Sequence, residues 1–225
     1  MAKSKIIKEI ANKDISLEVA FNRLLIIASD IENHDLIDWA TNELNGYSNN
    51  SIVPSYRKSG LGQIIYSGIN GAFQITSQPL PDGAINSDII DILKNNTFSQ
   101  DISTIEKFAS DDNKEGIIRD ITNLASMVYE NTGIQCVNIY MKYTKATFIH
   151  ILSSIRTKLL KVFIELDRIF GCLDNLDIDT EGKEVEEINK KLNIIIFEDN
   201  SITIGNNNKL KNNIFKKLGE KNNGN

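Results

Sequence analysis

The run Lys145–Phe170 constrains this chain more than any other. Ile149, Leu152, Leu159, Phe163, Leu166 and Ile169 or Phe170 recur at helical spacing, and Ile155, Leu160, Val162 and Ile164 widen the stripe. A helix that is apolar around so much of its girth is covered on most sides by protein. The spacing therefore predicts one central core helix, stopped at Gly171, where a left-handed cap suits glycine. The rest of the chain must supply elements that pack around it.

Several shorter helices are available for that task. Residues 4–11 place Ile6, Ile7 and Ile10 on one side. From Leu17 to Ile31, the positions Leu17, Ala20, Leu24, Ile27 and Ile31 form one face, with Ser16 as N-cap. Asp35 to Leu44 carries Leu36, Ile37, Trp39, Ala40 and Leu44 as its buried stripe, and Gly46 follows as a stop. Ser87–Leu93, Ile102–Phe108 and Glu115–Tyr129 also read as helices.

Strand character is concentrated between Leu61 and Thr76. Ile64-Ile65-Tyr66 and Ala72-Phe73-Gln74-Ile75 flank Asn70-Gly71, a dipeptide that accepts the positive φ of a hairpin turn. Tyr47–Pro54 reads as a loop, Pro79-Leu80-Pro81-Asp82-Gly83 breaks regular structure, and Ile134–Tyr140 alternates weakly as a strand. The expected class is α+β: an α-rich helical domain with a small antiparallel hairpin or sheet and an extended, β-prone C-terminal tail. The expected division is a globular domain over 1–178, a charged helix or linker over 179–193, and an Asn- and Lys-rich tail over 194–225.

Composition excludes some classes. In 225 residues, 41% are hydrophobic and 24% charged, with a net charge of −5, which suits a chain able to bury a core. The longest apolar run, Leu24–Ala28, is far short of the roughly 20 residues of a membrane helix. The start, Met1-Ala2-Lys3-Ser4-Lys5-Ile6-Ile7, lacks the apolar centre of a secretory signal. The two cysteines, Cys136 and Cys172, fall in no paired motif and suit a reducing compartment. The expected location is the cytoplasm, without membrane attachment.

The familiar catalytic patterns are missing. His34 and His150, the only histidines, lie in different helices, and a catalytic metal needs about three protein ligands. No metal and no cofactor is expected. Gly68-Ile69-Asn70-Gly71 lacks the spacing and the lysine of a phosphate-cradling loop. Cys136 lies in an apolar stretch, where a thiol is usually inert. Glu165 and Asp167 point to different faces of one helix. An RNase-like site of scattered Arg, Glu and Tyr stays open, but the reading leans away from an enzyme.

Charge is redistributed towards the end of the chain. Residues 171–200 hold nine acidic and three basic residues, whereas 201–225 hold five lysines and one glutamate. Lys209, Lys211, Lys216 and Lys217 offer a route to nucleic acid, since affinity grows with the phosphates neutralised. Two β-prone runs, Asn193–Asn200 and Ser201–Leu210, are each closed by an Asn-containing turn. Ile202 and Ile204 alternate with polar neighbours, and Gly205, Asn206 and Asn207 accommodate a turn. Such a β-arch stacks with copies of itself through asparagine ladders. These five tail residues are the expected self-association site. The other reading is a strand added to the body's sheet, or a frayed end.

Five segments together resemble the AbiTii family of bacterial abortive-infection proteins. They are Ile15-Ser16-Leu17-Glu18-Val19-Ala20; Trp39-Ala40-Thr41-Asn42-Glu43-Leu44-Asn45-Gly46-Tyr47; Val53-Pro54-Ser55-Tyr56-Arg57; Pro79-Leu80-Pro81; and Ile155-Arg156-Thr157-Lys158-Leu159-Leu160 with Glu165-Leu166. The second and third in tandem are the specific ones, and the resemblance covers roughly residues 4–178. It implies a role in phage defence but no particular reaction. Glu43, Asn45, Tyr47, Tyr56 and Arg57 then have two readings. In one, Trp39 and Leu44 are core, Asn45-Gly46 ends a helix, and Arg57 pairs with Glu43 to fix the loop. In the other, the five line a polar pocket or partner surface. The leading expectation is an interaction or sensing module whose tail self-associates or recruits an effector, so that a protein partner or homo-oligomer is expected. The alternatives are a toxin-like enzyme acting on RNA or a nucleotide through Tyr56, Arg57 and Glu43, and a nucleic-acid-binding regulator using the basic tail.

Overall fold

The structure is a computed structural model, and it describes residues 3–110, 116–176 and 178–197. Among these residues the helices are α1 (Lys5–Asn12), α2 (Leu17–Asp30), α3 (His34–Asn45), α4 (Ser87–Lys94), α5 (Ile102–Ser110), α6 (Ala125–Thr132), α7 (Lys145–Phe170) and α8 (Val185–Phe197). The strands are β1 (Gln63–Asn70), β2 (Phe73–Pro79), β3 (Ile117–Asp120) and β4 (Gln135–Tyr143). The class is α+β, as expected.

The long helix occupies the centre. Phe148, Ile151, Ile155, Leu159, Val162, Phe163 and Leu166 of α7 are all buried, whereas Ile149 and Ile164, expected in the stripe, are exposed. The helices α1, α2, α5 and α8 pack against α7. The second and third helices pair with each other, with Phe21 set edge-on to Trp39 at 5.0 Å. Ser16 caps α2 by accepting from the Val19 amide. Asn33 caps α3 by accepting from the Leu36 amide at 2.9 Å. The chain start is fastened to the far end of α7. Ser4 and Lys3 both donate to Asp167, the Lys3 bond at 2.9 Å. The Leu173 amide donates to the Ser4 hydroxyl at 2.9 Å, and the Lys5 amide to Asp174 at 2.6 Å.

The four strands form one antiparallel sheet in the order β2-β1-β4-β3. Tyr66, Ile139, Met141 and Tyr143 enter the core. Phe98 ties sheet to helices, with its ring 5.0 Å from Tyr143 and 4.9 Å from Phe148. The register slips on both sides of β1 around Ser67–Gly68. Those slips leave Thr76, Ser77 and Val137 without Cα partners. Gly68 has no substitute here, because a Cβ would lie 2.0 Å from the Gln135 carbonyl oxygen.

Three further expectations are corrected. The segment read as a helix from Glu115 to Tyr129 begins instead, after Gly116, with β3, a 3-10 turn at Thr122–Leu124 and α6. Ile117 and Ile118 pair with Tyr143 and Lys142, and pairing of β-branched residues overrides the weak helical spacing. The hairpin turn lies one residue later than expected: Asn70 pairs with Phe73, leaving Gly71 and Ala72 as the loop, and β2 continues to Pro79. Ile194–Phe197, read as the first β-prone arm of the tail, is the last turn of α8, where Ile196 joins Ile188 and Leu192 in the core. The same spacing that suits a strand over four residues extends an apolar helical face when the preceding turns are counted. The remaining tail residues, including Ile202, Ile204, Gly205, Asn206, Asn207, Lys209, Lys211, Lys216 and Lys217, lie outside the described residues.

Candidate functional site: a sealed polar network

Glu43 sits where a carboxylate is least expected. It follows Leu36, Trp39 and Ala40 on the buried stripe of α3, so the helix itself carries the charge inward. At Gly46 the chain turns with φ +88°, and a side chain there would meet the Ser99 carbonyl oxygen at 2.9 Å. The turn docks by donation from the Tyr47 amide to Ser99 O at 2.7 Å. One helical turn beyond Glu43, the Tyr47 hydroxyl donates back to Glu43 Oε1 at 2.7 Å.

Pro54 opens a 3-10 turn, Ser55–Arg57, that brings the second half of the site. Tyr56 donates its hydroxyl to Glu43 Oε1 at 2.7 Å and accepts from Trp39 Nε1 at 2.7 Å. Arg57 donates from Nη2 to Glu43 Oε2, and from Nε to Oε1 at 3.4 Å. Its Nη1 donates to the Gln100 carbonyl at 2.7 Å. The guanidinium carbon stands 5.3 Å from the Tyr47 ring centroid. The Arg57 carbonyl accepts from the Phe98 amide at 2.8 Å, so backbone and side chain grip the same segment.

The structure thus brings together four of the five expected residues. Asn45 is exposed at the end of α3 and does not enter the network. Glu43 and Arg57 have no exposed side-chain surface, and Tyr47 and Tyr56 are buried. Trp39 completes the set as the donor that orients Tyr56. Its place was legible as core, but its bond was not. Lys158 of α7 stands 5.9 Å from the Tyr56 ring centroid and donates to the Ile195 carbonyl at 3.1 Å, near the C-terminus of α8. A cation there suits the helix dipole.

The electrostatics favour one protonation pattern. Burial, followed by the Glu43 charge, pushes the Tyr47 and Tyr56 hydroxyls far up, so both remain protonated donors. Burial alone would lower the Arg57 pKa, but Glu43 more than offsets it and the guanidinium is held more tightly charged. The carboxylate is therefore matched by one cation and two hydroxyl donors, which is what makes a buried ion pair tolerable. A general base must reach the proton it abstracts. Here every oxygen of Glu43 is turned to an internal donor.

The other expected groups lie apart. His34 and His150 are exposed, on α3 and α7. Cys136 and Cys172 are free thiols, and burial pushes the Cys136 thiol up. Among the described residues no group of three or more His, Cys, Asp or Glu side chains is placed to hold a metal. No described helix is long and apolar enough to cross a membrane.

The residues of this network fall within the part of the chain that matches a family model. The AbiTii model covers residues 4–191. The chain belongs to the AbiTii family. This is a bacterial abortive-infection family, and AbiTii membership supports a phage-defence role. Comparison with curated proteins and with solved structures found no match. The match extends past the expected boundary at residue 178 and includes the first half of α8. Its Trp-x-x-x-Glu and Pro-x-Tyr-Arg segments are the two halves of the sealed network.

Proposed function

We propose that this AbiTii chain serves abortive infection as an interaction or sensing module, working through protein contact. The chain beyond Phe197 makes the contact that self-associates or recruits an effector. One observation supports this reading above others: Glu43, Tyr56 and Arg57, the residues best suited to catalysis, are consumed in a buried network that fixes the loop after α3. A sealed network gives the domain rigidity, and a rigid domain is what a recruiting segment needs as its base. Ile202 and Ile204 supply the apolar side of that segment, and Gly205, Asn206 and Asn207 its turn.

Phage challenge of cells tests the proposal with three chains: the full chain, a chain ending at Phe197, and the full chain carrying Tyr47→Phe. The shortened chain is expected to keep its thermal midpoint and to lose protection. Tyr47→Phe is expected to protect in proportion to its folded amount. Full protection by the shortened chain overturns the proposal. So does loss of protection by Tyr47→Phe at an unchanged level of folded protein, which points to catalysis instead.

A further inference from the structure

Residues 59–81 contain no Asp, Glu, Lys, Arg or His, in a chain that is 24% charged. This stretch contains the β1–β2 hairpin, and among the described residues β2 forms an edge of the sheet. Every residue of β2 except Ile75 is exposed. Edge strands present unpaired N–H and C=O groups, and proteins usually guard them with charges, prolines or bulges. The opposite edge, β3, is short and carries Arg119 and Asp120. On β2 the only guards are Pro79 and the irregularity at Thr76–Ser77, both in its second half. Phe73–Ile75 is regular and uncharged.

The surface that runs inward from this edge, over Phe73 of β2, Ile69 of β1 and Val137 of β4, is apolar and open to solvent. Phe73 is 73% exposed, Val137 76% and Ile69 46%. Together with Ile75 they line a groove of about 510 Å³. One patch thus carries both a projecting ring and the hollow next to it.

We infer that β2 pairs antiparallel with β2 of a second copy of this chain, joining two sheets across a two-fold axis. A two-fold interface demands a patch complementary to itself, and here both the main-chain edge and the ring-and-groove surface meet that demand. Charge selects the same occupant. Each copy carries a net charge of −5, so two copies repel on the whole, and the uncharged hairpin is where they meet without like charges in apposition. A nucleic acid or a charged peptide gains no ion pair there. A strand of this length makes an interface at the weak end of the specific range, so the dimer is expected to depend on concentration. The inference goes beyond the proposed function, because it uses the hairpin and not the tail.

Sedimentation velocity of the full chain, from about 2 to about 200 μM, is the test. The sedimentation coefficient is expected to rise from monomer to dimer. Full-length Phe73→Lys is expected to stay monomeric with an unchanged thermal midpoint. A full-length variant carrying Ile202→Asp and Ile204→Asp is expected to dimerise like the parent. Hydrogen exchange on the parent chain needs no variant, and residues 73–76 are expected to exchange more slowly at the higher concentration. A monomer throughout overturns the inference, as does dimerisation of Phe73→Lys equal to the parent's. Loss of the dimer in the Ile202/Ile204 variant, or slowed exchange confined to other segments, assigns the contact elsewhere and also overturns it.

Discussion

Arg57 donates to both carboxylate oxygens of Glu43, and neither side chain reaches solvent. The two belong to different elements: Glu43 closes the buried stripe of α3, and Arg57 ends the 3-10 turn after Pro54. Their pairing pins both ends of the intervening loop to the core, while residues 48–50 and Ile52 between them stay exposed. Tyr47 and Tyr56 complete the carboxylate's shell.

Removing one partner leaves the other charged and buried. Arg57→Ala is expected to cost about 3–5 kcal/mol in urea unfolding. The double replacement Glu43→Met with Arg57→Met is expected to lose markedly less than the two single changes added together, because coupled neighbours are not additive.

Tyr56→Phe deletes the acceptor for Trp39 Nε1 and one donor to Glu43. An unsatisfied buried donor costs about 1–3 kcal/mol, and the urea midpoint is expected to fall accordingly. Trp39 is the chain's only tryptophan. Its near-ultraviolet circular dichroism therefore reports directly on whether the indole has lost its fixed orientation.

Acid sensitivity follows from two aspartates. Hydrogen bonds from Ser103 and Thr104 hold the Asp101 carboxyl well below the usual range. Burial works to raise Asp167, but bonds from Ser4 and Lys3 outweigh it and hold that carboxyl low as well. A depressed folded-state pKa means that the unfolded chain binds protons first as pH falls. The stabilisation is therefore complete above the ordinary aspartate pKa and is lost as pH drops through the folded-state values. Asp101→Asn is expected to flatten the acid limb of a thermal-midpoint profile taken between about pH 6 and pH 2.

Gly68→Ala places a methyl group 2.0 Å from the Gln135 carbonyl oxygen, within the doubly slipped centre of the sheet. Overpacking of this kind costs about 1–3 kcal/mol or more. The variant is expected to show a lowered urea midpoint and accelerated amide exchange in β1 and β4.

The long elements were readable because their apolar spacing repeats over several turns. In α7 the expected Ile155, Leu159, Val162, Phe163 and Leu166 are buried, but the apolar run also contains Ile149 and Ile164, which face solvent, while Phe148 and Ile151 take the buried places at its start. The Glu43–Arg57 pair is one of two readings of the signature segments. What decides between them, the burial of Glu43 beside Leu36 and Trp39, was not legible, because the apolar spacing places Leu44 on that stripe in its stead. The bond from Trp39 to Tyr56 was not legible either, since it depends on how the 3-10 turn is placed in space. The third strand was misread because Ile117 and Ile118 acquire strand identity only from β4, more than a dozen residues later. Ile194–Phe197 was misread for the reverse reason: its burial comes from the helix behind it. Asn45 shares its neighbours' motif but points to solvent, because a position two residues past Glu43 lies on another side of the helix.

The tie between Ser4 and Asp167 spans 163 residues. It dictates an order of events during translation. The three isoleucines of α1 are made long before α7, yet their berth against it exists only once that helix has been synthesised. That apolar surface is thus fully housed only late, and closing so long a loop is entropically slow to reward. Until α7 is present, α2 is the neighbour available to cover part of that surface.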